Sequence, residues 1–250
     1  MVINMNVILK DNEEIHSLDI NGLKIIQSKN AFRFGMDAVL LSDFAKDIKN
    51  QNVMDLCSGN GAISLLLSAK TKNNSFTAVE IQEDVSDLAK RSVSLNNLDS
   101  QISVICMDLK NLDNTYKAGS FGAIVCNPPY KKFSSGITNI SDTKTIARHE
   151  VLCSLDDVIR ISSFLLKSNG SFYMVHRPER LCDIITTLHK YNLEPKIMRF
   201  IQPNSQKPAN LLLIKAVKNA KPFLKLLPNL TIYDKNGNYT NEFLKIYNMI

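Results

Sequence analysis

No hydrophobic stretch in this chain approaches the ~20 apolar residues that a membrane-spanning helix needs. Its amino end has no signal-like apolar core either, because Lys10 and Asp11 interrupt it early, so a cytoplasmic protein is expected. Five cysteines (57, 106, 126, 153 and 182) form no C-x-x-C pair, and four histidines show no ligand spacing. That pattern predicts reduced, buried thiols and no metal site. No internal repeat and no linker-like composition divides the chain, which predicts one domain over residues 1–250, as a monomer or weak homodimer without membrane contact. Acidic residues are missing from one long stretch. Between Pro195 and Tyr233 stand seven basic residues, Lys207 among them, and none of opposite sign. Two readings stay open for it: edge-strand lysines that discourage aggregation, or a phosphate-facing surface.

At 250 residues, 44% apolar and 22% charged, the composition is that of a soluble globular protein with one substantial core. The chain is organised around Asn127-Pro128-Pro129-Tyr130. The apolar run Phe121 to Cys126 leads into it and reads as a buried strand. Pro128 and Pro129 fix their own φ and push the residue before each out of the helical region, so the strand ends in a stiff loop. Open α/β sheets bind ligands at that edge. A planar amino group conjugated to a ring or carbonyl is a poor nucleophile, because its lone pair is delocalised. The Asn127 side-chain oxygen and the Pro128 carbonyl can each accept one of its hydrogens, favouring a pyramidal nitrogen aimed at an electrophile, while Tyr130 stacks on the ring. A plain proline turn closing a strand is the alternative.

Taken in order, Leu18 to Ile26 reads as a hairpin around Asn21-Gly22. Phe34-Gly35-Met36-Asp37 precedes an apolar block that predicts a helix starting near Asp37, where the acid either caps the helix or helps hold a cationic ligand. Val53 to Cys57 reads as a strand, followed by the turn Ser58-Gly59-Asn60-Gly61 and a helix from Ala62 to about Lys70. This is either a cofactor-binding unit or a tight βα turn, with Asn60 expected at an unusual φ. Phe76 to Glu80 is a second strand, and Glu80 lies 19 residues beyond Gly61, able to accept ribose hydroxyls or to face solvent. A helix from Asp84 to Leu95 stops at Asn96-Asn97. Ile102 to Cys106 is a third strand, and Asp108 after it can accept from an adenine amino group. Asp55, Glu80, Asp108 and Asn127 then share one edge of a parallel sheet, pointing to an adenosine-containing cofactor beside a loop that handles an amino group. Residues 131–150, with Lys131, Lys132 and Arg148, read as a lid or an excursion. A Ser154-capped helix from Leu155 to Leu166, a strand from Ser171 to Val175 and a helix begun near Pro178 follow. Arg177 and Arg180 are open between phosphate binding and solvation. Ile197–Ile201 and Asn210–Val217 are expected as an antiparallel pair, before a turn at Asn236-Gly237 and a terminal helix.

These motifs resemble the S-adenosylmethionine-dependent class I methyltransferases, and more narrowly the N-P-P-Y amino methyltransferases. The segments 32–41, 55–61, 147–150 and 176–181 are similar to the bacterial tRNA adenine-N6 methyltransferases that modify adenine 37 of a valine tRNA. The resemblance implies a seven-stranded, mostly parallel α/β sheet with an antiparallel last strand and helices on both faces. It implies a hairpin extension over 1–35, a catalytic core over 36–217 and an extension over 218–250. Asp55 and the turn Cys57, Gly59, Gly61 would face the methionine part of the cofactor, with Phe34, Gly35 and Asp37 closing over that end. Glu80 would hold the ribose and Asp108 the adenine. Asn127 and Pro128 would grip the target amine, with Tyr130 stacked on the base. Lys131, Lys132, Arg148, Arg177, Arg180 and Lys207 are the candidate tRNA contacts. One departure stands out: Cys57 occupies the first glycine of D-x-G-x-G-x-G, which would narrow the pocket. Rival substrates on this scaffold are a guanine N2 in rRNA and a protein glutamine. A non-catalytic RNA-binding module is the rival of another class.

Overall fold

The computed structural model describes residues 8–29, 34–130 and 152–250. Strands β1 (Glu13–Ser17) and β2 (Lys24–Ser28) form the amino-terminal hairpin. Its turn is Ile20-Asn21-Gly22-Leu23, closed by Leu23 N–H on Ile20 O at 2.9 Å, with φ of 49° and 71° at the two central residues. Positive φ at both is the twist-matched hairpin turn that Asn-Gly favours. The first strand lies earlier than expected, before Leu18, because Asp19 also takes a positive φ of 52° and the loop spans Leu18–Leu23.

The apolar runs become the main sheet. Strands β3 (Asn52–Leu56), β4 (Ser75–Glu80), β5 (Ile102–Cys106), β6 (Phe121–Cys126) and β7 (Leu166–His176) are parallel. Strand β9 (Leu211–Lys218) sits between β7 and β8 (Leu193–Gln202), antiparallel to both. The order β8-β9-β7-β6-β3-β4-β5 is the expected seven-stranded sheet with its last strand antiparallel. Two short strands, β10 (Lys225–Leu226) and β11 (Leu230–Thr231), extend it beyond β8. Strand β7 starts five residues before the expected Ser171: Leu166 already pairs with Phe121, ahead of a bulge. The order reverses between β3 and β6, so their connections leave on opposite sides and a crevice opens at their carboxyl ends.

Both sheet faces are apolar, as a sheet covered on two sides requires. Val53, Ala123, Val125, Tyr173 and Val175 face α1 (Met36–Phe44), α2 (Ala62–Lys70) and α6 (Asn241–Ile246). Met54, Ile124, Phe172 and Met174, one residue out of step, face α4 (Leu155–Leu165) and α5 (Leu181–Lys190). The period of two between the sets is the strand pleat itself. Helix α4 begins in a reciprocal cap: Ser154 Oγ accepts from Asp157 N–H, and Asp157 accepts from Ser154 N–H. Helix α3 (Glu83–Leu95) stops where Asn97 turns left-handed at φ 55°. No helix of the described residues is long and apolar enough to cross a membrane, and among them no group of three or more His, Cys, Asp or Glu is placed to hold a metal.

Helix α3 also carries the hairpin. Asn96 accepts from Lys24 N–H at 2.9 Å and donates to Lys24 O at 2.6 Å, while Ser92 Oγ accepts from Ile26 N–H at 2.9 Å. Removing the buried amide leaves a donor and an acceptor of Lys24 without partners. Asn96→Ala should therefore destabilise the protein by about 1–3 kcal/mol, read as a lower urea midpoint with an unchanged m-value. An unshifted midpoint would show that the hairpin is held by its apolar contacts alone.

Candidate functional site

A cleft of about 780 Å³ opens over the carboxyl ends of β3, β4, β5 and β6. Phe34, Asp37, Cys57, Gly59, Glu80, Asp108, Asn127, Pro128, Pro129 and Tyr130 line it, together with Arg177 and Arg180. These residues come from segments far apart in the sequence, and the strand order brings them to one crevice.

The turn after β3 alternates backbone hands. Cys57, Gly59 and Gly61 all have positive φ, at 55°, 55° and 83°, and Asn60 is not among the left-handed residues. The expectation for Asn60 is thus corrected. The unusual φ falls on the position that carries cysteine in place of glycine, where it costs about 1–2 kcal/mol. Alternating hands turn successive N–H groups toward one concave side. Glu80 takes the Gly59 N–H on one oxygen and the Gln82 N–H on the other, both at 3.0 Å. A carboxylate has about four acceptor sites, so Glu80 keeps capacity for hydroxyl donors in the cleft. Burial raises its carboxyl above the usual range, against those two backbone bonds. Asp108 lies across the cleft, accepting from Lys110 N–H at 2.9 Å.

Three expected contacts sit elsewhere. Asp55 is fully buried and does not line the cleft; Oδ2 accepts from Ser64 N–H at 3.1 Å and from Ser64 Oγ at 2.8 Å, pinning the first turn of α2. The pleat explains it, since Asp55 shares the face of Val53, under α2. Gly61 serves packing: a Cβ there would stand 3.3 Å from Ala89 Cβ, so the glycine lets α3 approach. Gly35 is the N-cap of α1 rather than part of the cleft wall.

Tyr130 closes one end. Its hydroxyl lies 2.5 Å from Asp37 Oδ2 and 2.6 Å from Asn127 Oδ1. Burial, with the Asp37 charge adding, holds the phenol well above its usual pKa. Its ring is 5.2 Å from that of His176 and carries the Arg177 guanidinium, also at 5.2 Å. Arg177 further donates to Asn210 O at 2.7 Å, and Arg180 Nε to Asp183 at 2.7 Å. Lys207 is exposed in the β8–β9 connection, outside the cleft. In its acid-free stretch, four of the seven basic side chains have partners within the chain. Lys215 pairs with Asp47 at 2.7 Å, Arg199 with Glu242 at 2.6 Å, and Lys196 and Lys218 donate to backbone carbonyls. Lys131, Lys132 and Arg148 lie outside the described residues, as does the expected 131–150 lid.

The residues fit an adenosyl cofactor. Ser58 Oγ and Asn60 Nδ2 are buried in the cleft wall without hydrogen-bond partners among the described residues, and a polar ligand would satisfy them. Both belong to the Cys57–Gly61 turn expected to face the cofactor, although their residue types alone carry no signal for a contact. Cys153, unheralded in the sequence, faces Cys57 across the wall with sulfurs 4.0 Å apart.

The model of the methyltransferase small domain family matches residues 23–183. The chain belongs to that family. Two relatives of this methyltransferase-family chain carry the name tRNA1(Val) (adenine(37)-N6)-methyltransferase. The one from Photobacterium profundum is 25% identical over 212 residues, 84% of this chain and 87% of its own. The one from Parabacteroides distasonis is 28% identical over 222 residues, 87% of this chain and 90% of its own. Among solved structures, a predicted O-methyltransferase from Agrobacterium tumefaciens superposes with a TM-score of 0.69 at 21% identity, covering 85% of this chain and 96% of that one. The M. jannaschii tRNA m1G37 methyltransferase gives 0.60 at 17%, covering 84% and 55%. These two likenesses show the fold.

Two outcomes follow for this methyltransferase turn. Glycine meets no penalty at φ 55°, whereas alanine keeps it, so Cys57→Gly should be about 1 kcal/mol more stable than Cys57→Ala; equal melting curves would contradict the left-handed assignment. Burial pushes Asp55 up to about 7, with the Glu80 charge adding and the Ser64 bonds opposing. The folded protein therefore holds a proton that the unfolded chain releases near the ordinary value of 3.8, and stability is lost as pH rises toward and through 7. Asp55→Asn removes that loss. The variant should be the more stable protein at pH 8 and the gap should shrink toward pH 5 in denaturant titrations; a gap that widens on acidification would contradict the buried neutral acid.

Proposed function

We propose that this protein transfers a methyl group from S-adenosylmethionine to the exocyclic N6 of an adenine in tRNA, adenine 37 beside the anticodon of a valine tRNA. The observation that carries the reading is that Asn127 and Pro128 stand in the wall of the same cleft as Glu80 and Asp108. An amine-gripping loop and an adenosine-shaped set of acceptors thus share one space. The two relatives named above, each similar over most of both chains, support the tRNA substrate.

The cofactor supplies a methyl group on a sulfonium, an electrophile strong enough that alignment is the main task. Glu80 would hold the ribose hydroxyls and Asp108 the adenine amine, while Ser58 and Asn60 would complete the turn around the methionine end. Asp37 and Phe34 close that end from the start of α1. Asn127 Oδ1 and the Pro128 carbonyl accept the two hydrogens of the target amine and direct its lone pair inward. No strong base is required, because the nitrogen becomes acidic only as the N–C bond forms and the methyl group leaves the sulfur, which departs as a neutral thioether; water takes the proton. The target base must leave its stack, which costs less in a single-stranded loop than in a duplex. The Arg177 guanidinium lies over the Tyr130 ring at 5.2 Å, so a base that stacks on that face has to displace it.

Labelled methyl transfer to total tRNA from a host lacking the gene, followed by nucleoside analysis, tests this directly. Label in N6-methyladenosine is expected; label in N2-methylguanosine, or none in tRNA, would overturn the substrate. Asn127→Ala should lower turnover by about 10²–10³, by analogy with losing one oriented polar contact, while cofactor affinity by calorimetry changes little. Wild-type turnover in that variant would remove Asn127 from the site.

A further inference from the structure

Among the described residues, Tyr130 Oη has two neighbours at hydrogen-bond distance, Asp37 Oδ2 at 2.5 Å and the Asn127 carboxamide at 2.6 Å. A phenol has one proton. Two acceptor oxygens would need two, so the three groups cannot all be satisfied with the Asn127 oxygen turned toward Tyr130. An ionised carboxylate only accepts, whereas a carboxamide has an oxygen that accepts and a nitrogen that donates. The two ends of a carboxamide have nearly the same shape and are told apart by their partners. With the Tyr130 hydroxyl donating its hydrogen bond to Asp37, the phenol oxygen is left as an acceptor, and the group that satisfies it is the Asn127 NH₂.

We propose that Asp37 is a positioning residue for methyl transfer: it accepts the hydrogen bond of the Tyr130 hydroxyl, Tyr130 in turn accepts from Asn127 Nδ2, and Asn127 Oδ1 is thereby turned to the cleft as the acceptor for the target amine. This rests on the transfer function proposed above. Asp37 enters the site from the first turn of α1 and Asn127 from the end of β6, 90 residues apart in the sequence. The phenol between them converts the charge of one into the orientation of the other. The opposite arrangement, with the proton on the Asn127 side, presents NH₂ to an incoming NH₂, two donors facing each other. Burial supports the relay in two ways. It keeps the phenol protonated, and it strengthens each hydrogen bond by excluding water. The His176 ring beside Tyr130 adds no competing charge: burial holds its pKa down to about 4, and its Nδ1 accepts from Arg177 N–H at 2.8 Å.

Neutron diffraction of deuterated protein crystals reads the arrangement without any activity. The expected map has the Tyr130 deuteron on the Asp37 side and two deuterons on the Asn127 atom nearest Tyr130. A deuteron between Tyr130 and Asn127 Oδ1 would overturn the proposal. Kinetics of folded Asp37→Asn, Tyr130→Phe and the double variant, at saturating cofactor and tRNA, read the consequence. Each single change should lower kcat about tenfold at saturating cofactor, since the amide is no longer held one way round; Tyr130→Phe should keep cofactor affinity within about threefold of wild type, whereas Asp37→Asn, which also stands at the methionine end, is read on kcat. The double variant should be about as slow as either single one, because both cut the same relay. Weakened cofactor binding with unchanged kcat in Asp37→Asn, or losses that multiply in the double variant, would show that Asp37 acts on the cofactor independently of Tyr130. Wild-type protein that methylates no tRNA would instead remove the functional reading, and the neutron map would still decide the hydrogen arrangement.

Discussion

Glu80 accepts the backbone N–H of Gly59 with one oxygen and that of Gln82 with the other, and so ties the turn after β3 to the turn after β4. The rest of the cleft is built outward from that tie. Gln82 is the N-cap of α3, so the same carboxylate fixes where that helix begins. Helix α3 approaches the turn closely enough that a side chain at Gly61 would crowd Ala89, and at its far end it holds the hairpin through Ser92 and Asn96. Beneath the turn, Asp55 grips Ser64 and sets the start of α2. Two buried acids therefore shape the floor, one from within the core and one from the cleft wall. Burial raises the proton affinity of Asp55, and the like charge of Glu80 adds to it.

Much of the architecture could be read from residue order. Short, nearly continuous apolar runs mark all seven main strands, and Asn-Gly, Ser154 and Asn97 mark the hairpin turn, a helix start and a helix stop. What escaped reading depended on contacts between distant segments. Strands β10 and β11 are two residues each, too short for periodicity to register, and exist because β8 offers them an open edge. Asp55 looked like its neighbours at the strand ends, but one step of the pleat put it under α2 instead of in the cleft. Gly61 looked like a cofactor glycine, and its reason lies in Ala89, which sits on another helix. The left-handed φ fell on Cys57 rather than Asn60, against residue preference, because the turn alternates in steps of two from the end of β3.

Charge was the least legible feature. The acid-free stretch after Pro195 suggested a single basic face, yet its side chains serve several unrelated tasks. Lys215 closes on Asp47 and Arg199 on Glu242, while Lys196 and Lys218 cap backbone carbonyls. Net charge along a sequence says little about which face bears it, since β8 and β9 run in opposite directions and spread their residues over both edges of the sheet. Among the described residues, the cationic groups that line the cleft, Arg177 and Arg180, come instead from the short turn between β7 and α5. Arg177 sits there on the ring of the residue that ends the N-P-P-Y loop.

The amine grip by Asn127 and Pro128 is tested most directly by a crystal structure of the protein with the demethylated cofactor product and an anticodon stem-loop of the valine tRNA. If the grip is real, the adenine N6 will lie within hydrogen-bond reach, about 2.7–3.2 Å, of both Asn127 Oδ1 and the Pro128 carbonyl oxygen, with its base out of the stack. An adenine seated in the cleft with its N6 away from both oxygens would contradict it.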